Sequence, residues 1–129
     1  MDILSALFIE NFNMRQAPGP ATRIDMSGVM FSMAAPQPVP VTIEPHLLVL
    51  VRCHEEESGN AVLEAVFRNE AGEQVARSVM PFQVEPGKFG FRLVRGELTY
   101  EDYGTIEAHV RLDKGEFVRV PLTLLPPAE

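Results

Sequence analysis

Few side chains in this sequence are of types, and at spacings, that could do chemistry. The densest group is Cys53-His54-Glu55-Glu56-Glu57, where a thiol, an imidazole and three carboxylates follow one another. Such a run could hold a metal ion or present an activated thiol. Zinc draws its Cys and His ligands from more than one segment as a rule, and His46 and His109 are the other histidines that could join His54. Against this, Cys53 closes the apolar run HLLVLVRC and reads as a small buried hydrophobe. The glutamates after it read as a solvated loop, and no D-x-D-x-D-G calcium loop is present. His109 sits on the polar side of an alternating stretch and reads as the cross-strand partner of an acid. No neighbouring nucleophile or carboxylate nominates it as a base. Ser5, Ser27, Ser32, Ser58 and Ser78 lie in neither G-x-S-x-G nor S-x-x-K, and there is no Gly-rich phosphate loop. The sequence therefore nominates no catalytic residue, no cofactor and no resident metal. A small-ligand or metal site on His54 and Glu55 to Glu57 stands as the alternative to a binding protein.

The second group is suited to contact rather than catalysis. Met26, Met30 and Met33 fall close together, with Met14 ahead of them. Methionine fills irregular core gaps and also suits adaptable surfaces. Beside them the segment Asn11 to Thr22, read as a loop around Pro18-Gly19-Pro20, carries Phe12, Met14 and Arg15, types enriched at interfaces. Phe12, Met14, Arg15 and Met30 are thus the expected partner surface. Sugar binding by aromatic stacking is disfavoured. There is no Trp and there are two Tyr, and most of the eight Phe read as inward-facing.

The charge balance narrows the partners. There are 18 acidic and 11 basic residues, a net charge of −7. A nucleic-acid or anionic-membrane binder needs a basic face, so neither is expected. No apolar run approaches a membrane span. The N-terminus begins MDILSALFIE, without the basic region of a secretory signal. A cytoplasmic location is the expectation.

These residues must be positioned by short strands. The chain has 129 residues, 46% of them hydrophobic, with eleven Pro and nine Gly that keep the apolar runs short. One domain over residues 1–129 is expected. Ile3 to Ile9 reads as a strand with little charge and no proline, the edge most in need of a partner. Arg23 to Met33 reads as a strand or bent hairpin arm with a bulge or close approach at Gly28. The stretch 34–45, with Pro36, Pro38, Pro40 and Pro45, reads as an extended crossing segment. His46 to Cys53 is apolar on both faces and reads as a central strand. Ala61 to Asn69 and Gln74 to Val84 form a hairpin, with Pro81 blunting an edge. Lys88 to Val94 places Phe89, Phe91 and Leu93 on one face and Lys88, Gly90 and Arg92 on the other. Thr105 to Leu112 turns Ile106, Ala108, Val110 and Leu112 inward, and Val118 to Leu124 closes the set. A single helical turn is possible at Leu98 to Tyr103, and Tyr100 and Tyr103 loosely match a tyrosine corner. About eight or nine short strands with turns every eight to twelve residues predict an all-β antiparallel, immunoglobulin-like Greek-key β-sandwich.

From Leu48 onward, "VLEAVFRNEAGEQVA", "FGFRLV" and "YGTIEAHVRLDKGEFVRVPLTLL" resemble immunoglobulin-like and fibronectin-like sandwiches. In the last piece Thr105-Ile106 stands where a tyrosine is usual, and Lys114 splits the Asp-Gly pair of the turn. The opening Ile3 to Glu10 followed by "RIDMSGV" is similar to a family of short bacterial proteins of unknown function. That resemblance implies a single cytosolic sandwich and brings no catalytic residues. The reading is a non-enzymatic protein-binding or assembly module, a homodimer included, that works through sheet edges or loops.

Overall fold

The computed structural model describes residues 1–16, 18, 19 and 21–128. Among these, period-2 alternation becomes twelve strands and no helix. They are β1 (Asp2–Ile9), β2 (Asn11–Gln16), β3 (Thr22–Ser27), β4 (Ser32–Ala34), β5 (Val41–Ile43), β6 (His46–Arg52), β7 (Asn60–Arg68), β8 (Gln74–Gln83), β9 (Phe89–Arg95), β10 (Leu98–Tyr100), β11 (Gly104–Leu112) and β12 (Val118–Leu125). No helix of the described residues is long and apolar enough to cross a membrane.

One sheet has the order β1-β6-β9, and a second has β4-β12-β11-β7-β8; β5 pairs with β10 and β2 with β3. All the pairings are antiparallel except β4 with β12. The fold is all-β and β-sandwich-like. Its core is filled by alternate residues of both large sheets. Leu47, Val49 and Val51 of β6 meet Leu63, Ala65 and Phe67 of β7, Ile106, Ala108 and Val110 of β11, and Leu122 of β12 in one buried cluster. Val41, Ile43, Leu98 and Tyr100, from the small β5–β10 pair, belong to the same cluster. The Tyr100 hydroxyl donates to the Leu122 carbonyl at 2.7 Å. Burial raises its pKa well above the ordinary phenol range.

The two sheets are stitched at one side. Met30 N–H donates to Phe8 C=O of β1, while Thr123 N–H of β12 donates to Phe31 C=O, both at 2.9 Å. Neighbouring residues of one crossing segment thus bond to opposite sheets.

Several expectations are corrected. The strands number twelve rather than eight or nine, because β4, β5 and β10 are three-residue strands too short to show a period. Asn11 to Thr22 is not a loop throughout: Asn11–Gln16 is a strand paired with Thr22–Ser27. Its apolar residues Phe12 and Met14 share one face, but two alternating positions close to Pro18-Gly19-Pro20 are too few to separate a strand from a loop. Leu98–Tyr100 is strand, not a helical turn. Part of the Pro-rich crossing, Val41–Ile43, is also strand. Arg23 to Met33 breaks at Gly28, whose φ is +67° and where an added Cβ would lie 2.6 Å from the Glu10 side chain. The close approach expected there is present. Finally, the phenylalanines divide: Phe8, Phe67 and Phe82 are buried and Phe12 and Phe91 half-buried, while Phe31, Phe89 and Phe117 are exposed.

Candidate functional site

The site begins from the alternation in β9. In register, Arg52, Leu50 and Leu48 of β6 stand opposite Phe89, Phe91 and Leu93. Residues directly opposite in an antiparallel pair share a face. Leu47, Val49 and Val51 point into the core, so Leu48 and Leu50 point away from it, and the phenylalanines of β9 with them. The first sheet therefore has an apolar outer face as well as an apolar inner one. Leu48 is 1% exposed although it lies outside the core cluster, so this outer face is roofed.

The roof is the β2–β3 hairpin arm. Its register pairs Phe12 with Met26 and Met14 with Ile24, which gathers the apolar residues on one side. Phe12 meets Phe91 edge-on, with ring centroids 5.6 Å apart at an interplanar angle of 60°. Farther along the arm, Met14 and Ile24 face Phe89 and Phe91 across a cleft of about 650 Å³. The apolar rims stay open: Phe89 is 51% exposed and Met14 48%.

This cleft runs into a second of about 470 Å³, since Gln83 and Phe91 line both. The second lies between β9 and Asn60, Ala61, Pro81 and Phe82. Among the described residues, the only charged ones lining the two are Lys88 and Arg92, both cationic, on a chain of net charge −7. Lys88 meets Glu85 at 3.0 Å in a well-exposed pair, an arrangement that holds a side chain weakly. Arg92 donates from Nη2 to the Pro81 carbonyl at 3.2 Å and from Nε to the Met80 sulfur at 3.0 Å.

β9 is also the end of its sheet. Cys53 N–H donates to Lys88 C=O at 2.9 Å, which makes this a hydrogen-bonded pair. By alternation Gly90, Arg92 and Val94 turn their amides toward β6, and Phe89, Phe91 and Leu93 turn theirs outward. The nearest end of the other sheet, β8, carries Pro81, which has no N–H to complete a ladder.

The expected partner residues are divided by this geometry. Phe12 and Met14 belong to the apolar side of the arm. Arg15 lies on its opposite side and donates to Asp25 at 2.6 Å. Met30 is elsewhere, bridging to Phe8 and packed against the core. The β1 strand is indeed at the end of its sheet, with Met30 beside Phe8 on its outer side.

The Cys53–Glu57 group is not assembled as a metal site. Cys53 is wholly buried. His54 Nε2 meets Asp2 at 2.6 Å, which lowers the Asp2 pKa. Glu57 accepts from the His54 amide and from the amino group of Met1, and the latter contact leads in holding its carboxyl below the usual range. His109 lies on the other sheet, and its acidic partner is not across the strands as expected: Arg119 and Val66 stand opposite it, and Glu107, two residues earlier on the same strand face, lies 2.9 Å away. Among the described residues no three His, Cys, Asp or Glu side chains are grouped to hold a metal.

Sequence reasoning missed a polar network on the outer face of the second sheet. Glu64 of β7, nearly buried, accepts from Arg77 Nε and Nη2 at 3.0 and 2.7 Å and from Arg111 Nε at 2.7 Å. Arg77, then Arg111, holds its carboxyl below the ordinary range. The Arg111 guanidinium lies 4.4 Å from the centre of the Phe117 ring. Placing Glu64 and Arg111 opposite each other needs the β7–β11 register, which no single strand reveals.

No protein-family model matches the chain, and no curated protein matches it. Among solved structures it is similar to a glycosyl hydrolase family 2 member from Bacteroides cellulosilyticus DSM 14838, at 12% identity and a TM-score of 0.51. The likeness covers 68% of this chain and 13% of that one. At this identity it supports the β-sandwich-like fold alone.

Proposed function

We propose that this chain is a non-enzymatic protein-binding or assembly module, cytoplasmic, built as an immunoglobulin-like Greek-key sandwich that works through its open sheet edges and its arm. The observation that supports it is the apolar outer face of the β1-β6-β9 sheet, only partly roofed by the arm. Exposed Met14 and Phe89 border an open cleft there. Methionine and aromatic side chains beside a sheet end are the materials of protein contact surfaces. The resemblance of the first strand and arm to short bacterial proteins of unknown function fits the same reading.

The test is capture of tagged protein from a lysate of its source, together with light scattering of the purified chain. The comparison is a Met14→Glu, Phe89→Glu double variant. A stoichiometric companion or a second copy, lost in the variant while its unfolding midpoint is retained, supports the reading. A wild-type chain that is monomeric and captures the same proteins as the variant refutes it.

A further inference from the structure

We infer that the groove along β9 receives an extended peptide segment that alternates apolar and acidic residues and adds to the sheet as a strand beside β9. This rests on the binding-module reading and names the chemistry of the partner.

Three observations converge. First, Phe89, Phe91 and Leu93 turn their amide and carbonyl groups outward from the last strand of the sheet, where Pro81 prevents β8 from completing a ladder. An extended segment can satisfy such a row, the backbone supplying affinity and alternate side chains specificity. Second, the two faces of β9 differ in kind. Phe89 and Phe91 stand on the face toward the arm, with Met14 across the cleft. Arg92 stands on the other face, opposite Val49, and Lys88 lies just before the start of β9 among the residues that line the cleft. A strand laid beside β9 continues the pleat, so its own residues alternate between an apolar wall and a cationic one. Third, the charge is complementary. Among the described residues no carboxylate lines either part of the groove, Glu85 meeting Lys88 from outside the lining, although acidic residues outnumber basic ones 18 to 11 in the chain. Opposite charges in cross-strand positions attract, and like charges repel. A basic segment would set cation against cation here.

The probes are two fluorescein-labelled octapeptides, alternating Val-Glu and alternating Val-Lys, with a Pro-Glu octapeptide that lacks half the backbone donors. Binding is read by anisotropy at two salt concentrations and by backbone amide shifts of the isotope-labelled protein. The Val-Glu probe is expected to bind at least tenfold more tightly than the Val-Lys probe, about 1.4 kcal/mol. It weakens as salt rises and shifts the amides of Phe89, Phe91 and Leu93. The Pro-Glu probe loses most of this affinity. A Lys88→Glu, Arg92→Glu variant with an unchanged unfolding midpoint reverses the order of the Val-Glu and Val-Lys probes. Equal binding of those two by the wild-type protein overturns the proposal, as does binding of none. Shifts confined to the β1 amides, such as Ala6, overturn the assignment to β9 but leave a sheet-edge binding module standing. The capture experiment judges that wider reading separately.

Discussion

Leu48 offers the sharpest test of whether the arm is a packed part of the fold. It points away from the core, on the opposite face from Leu47 and Val49, yet is 1% exposed. If the outer face of the β1-β6-β9 sheet were open to water, Leu48→Ala would behave as a surface change, within about 0.5 kcal/mol. Beneath a seated arm it creates a cavity, and buried Leu→Ala changes cost about 2–5 kcal/mol. The expected loss is therefore of the same order as for Leu47→Ala in the core. For a chain of 129 residues, with an unfolding entropy of about 2.1 cal/mol/K per residue, each kcal/mol moves the midpoint by roughly 4 °C. The lower end of the range is then a fall of about 8 °C. Urea unfolding followed by circular dichroism measures the loss, and an unchanged denaturant slope confirms that the unfolded surface is comparable. A double-mutant cycle on Phe12→Ala and Phe91→Ala locates the effect. The edge-on ring pair predicts a coupling of about 0.5–1.5 kcal/mol. A cost below about 1 kcal/mol for Leu48→Ala, together with additive Phe12 and Phe91 changes, would refute the reasoning and set the arm free of the sheet.

Two further outcomes follow from buried polar contacts. Tyr100→Phe keeps the ring but removes the donor to the Leu122 carbonyl in a site 3% exposed; a loss of about 1–2 kcal/mol in chemical unfolding is expected, and a neutral result would mean that another donor reaches that carbonyl. Glu64→Gln discharges the acceptor of Arg77 and Arg111. Because the folded carboxyl has a lowered pKa, its contribution is fully present above the unfolded value of about 4.3 and is lost as pH falls through the lower folded value. Thermal midpoints of wild type and variant should therefore differ at neutral pH and converge in acid below the ordinary carboxylate range; a gap independent of pH would remove the ionic account.

Where a strand buries one face in the core, its sequence revealed that face. Ile106, Ala108 and Val110 of β11 turn inward and His109 outward, as alternation requires, and β6 lies between β1 and β9 as its unbroken apolar run suggests. The case of β9 shows the limit. Alternation grouped Phe89, Phe91 and Leu93 on one face, but period 2 does not say which face meets the core. That depends on the arm, whose first strand has only Phe12 and Met14 to show a period, close to the break at Pro18-Gly19-Pro20. Met26 and Met30, close in sequence, lie on different parts of the fold because Gly28 turns the chain between them. The candidate groove is assembled from β2, β3, β7, β8 and β9, and only the pairing of distant strands brings these together.

The single cysteine gives this architecture a way to report on itself. Cys53 is 0% exposed and directly follows the middle strand of the β1-β6-β9 sheet, hydrogen-bonded to the turn before β9. A thiol reagent can reach it only through an opening that frees that part of the chain. Under conditions where reclosing outpaces modification, its labelling rate measures the population of the opened form. Comparing that population with global unfolding shows whether this end of β6 opens alone or with the whole fold. The end of the strand that anchors the core thus adjoins a chemical clock, with no substituted residue to disturb the packing.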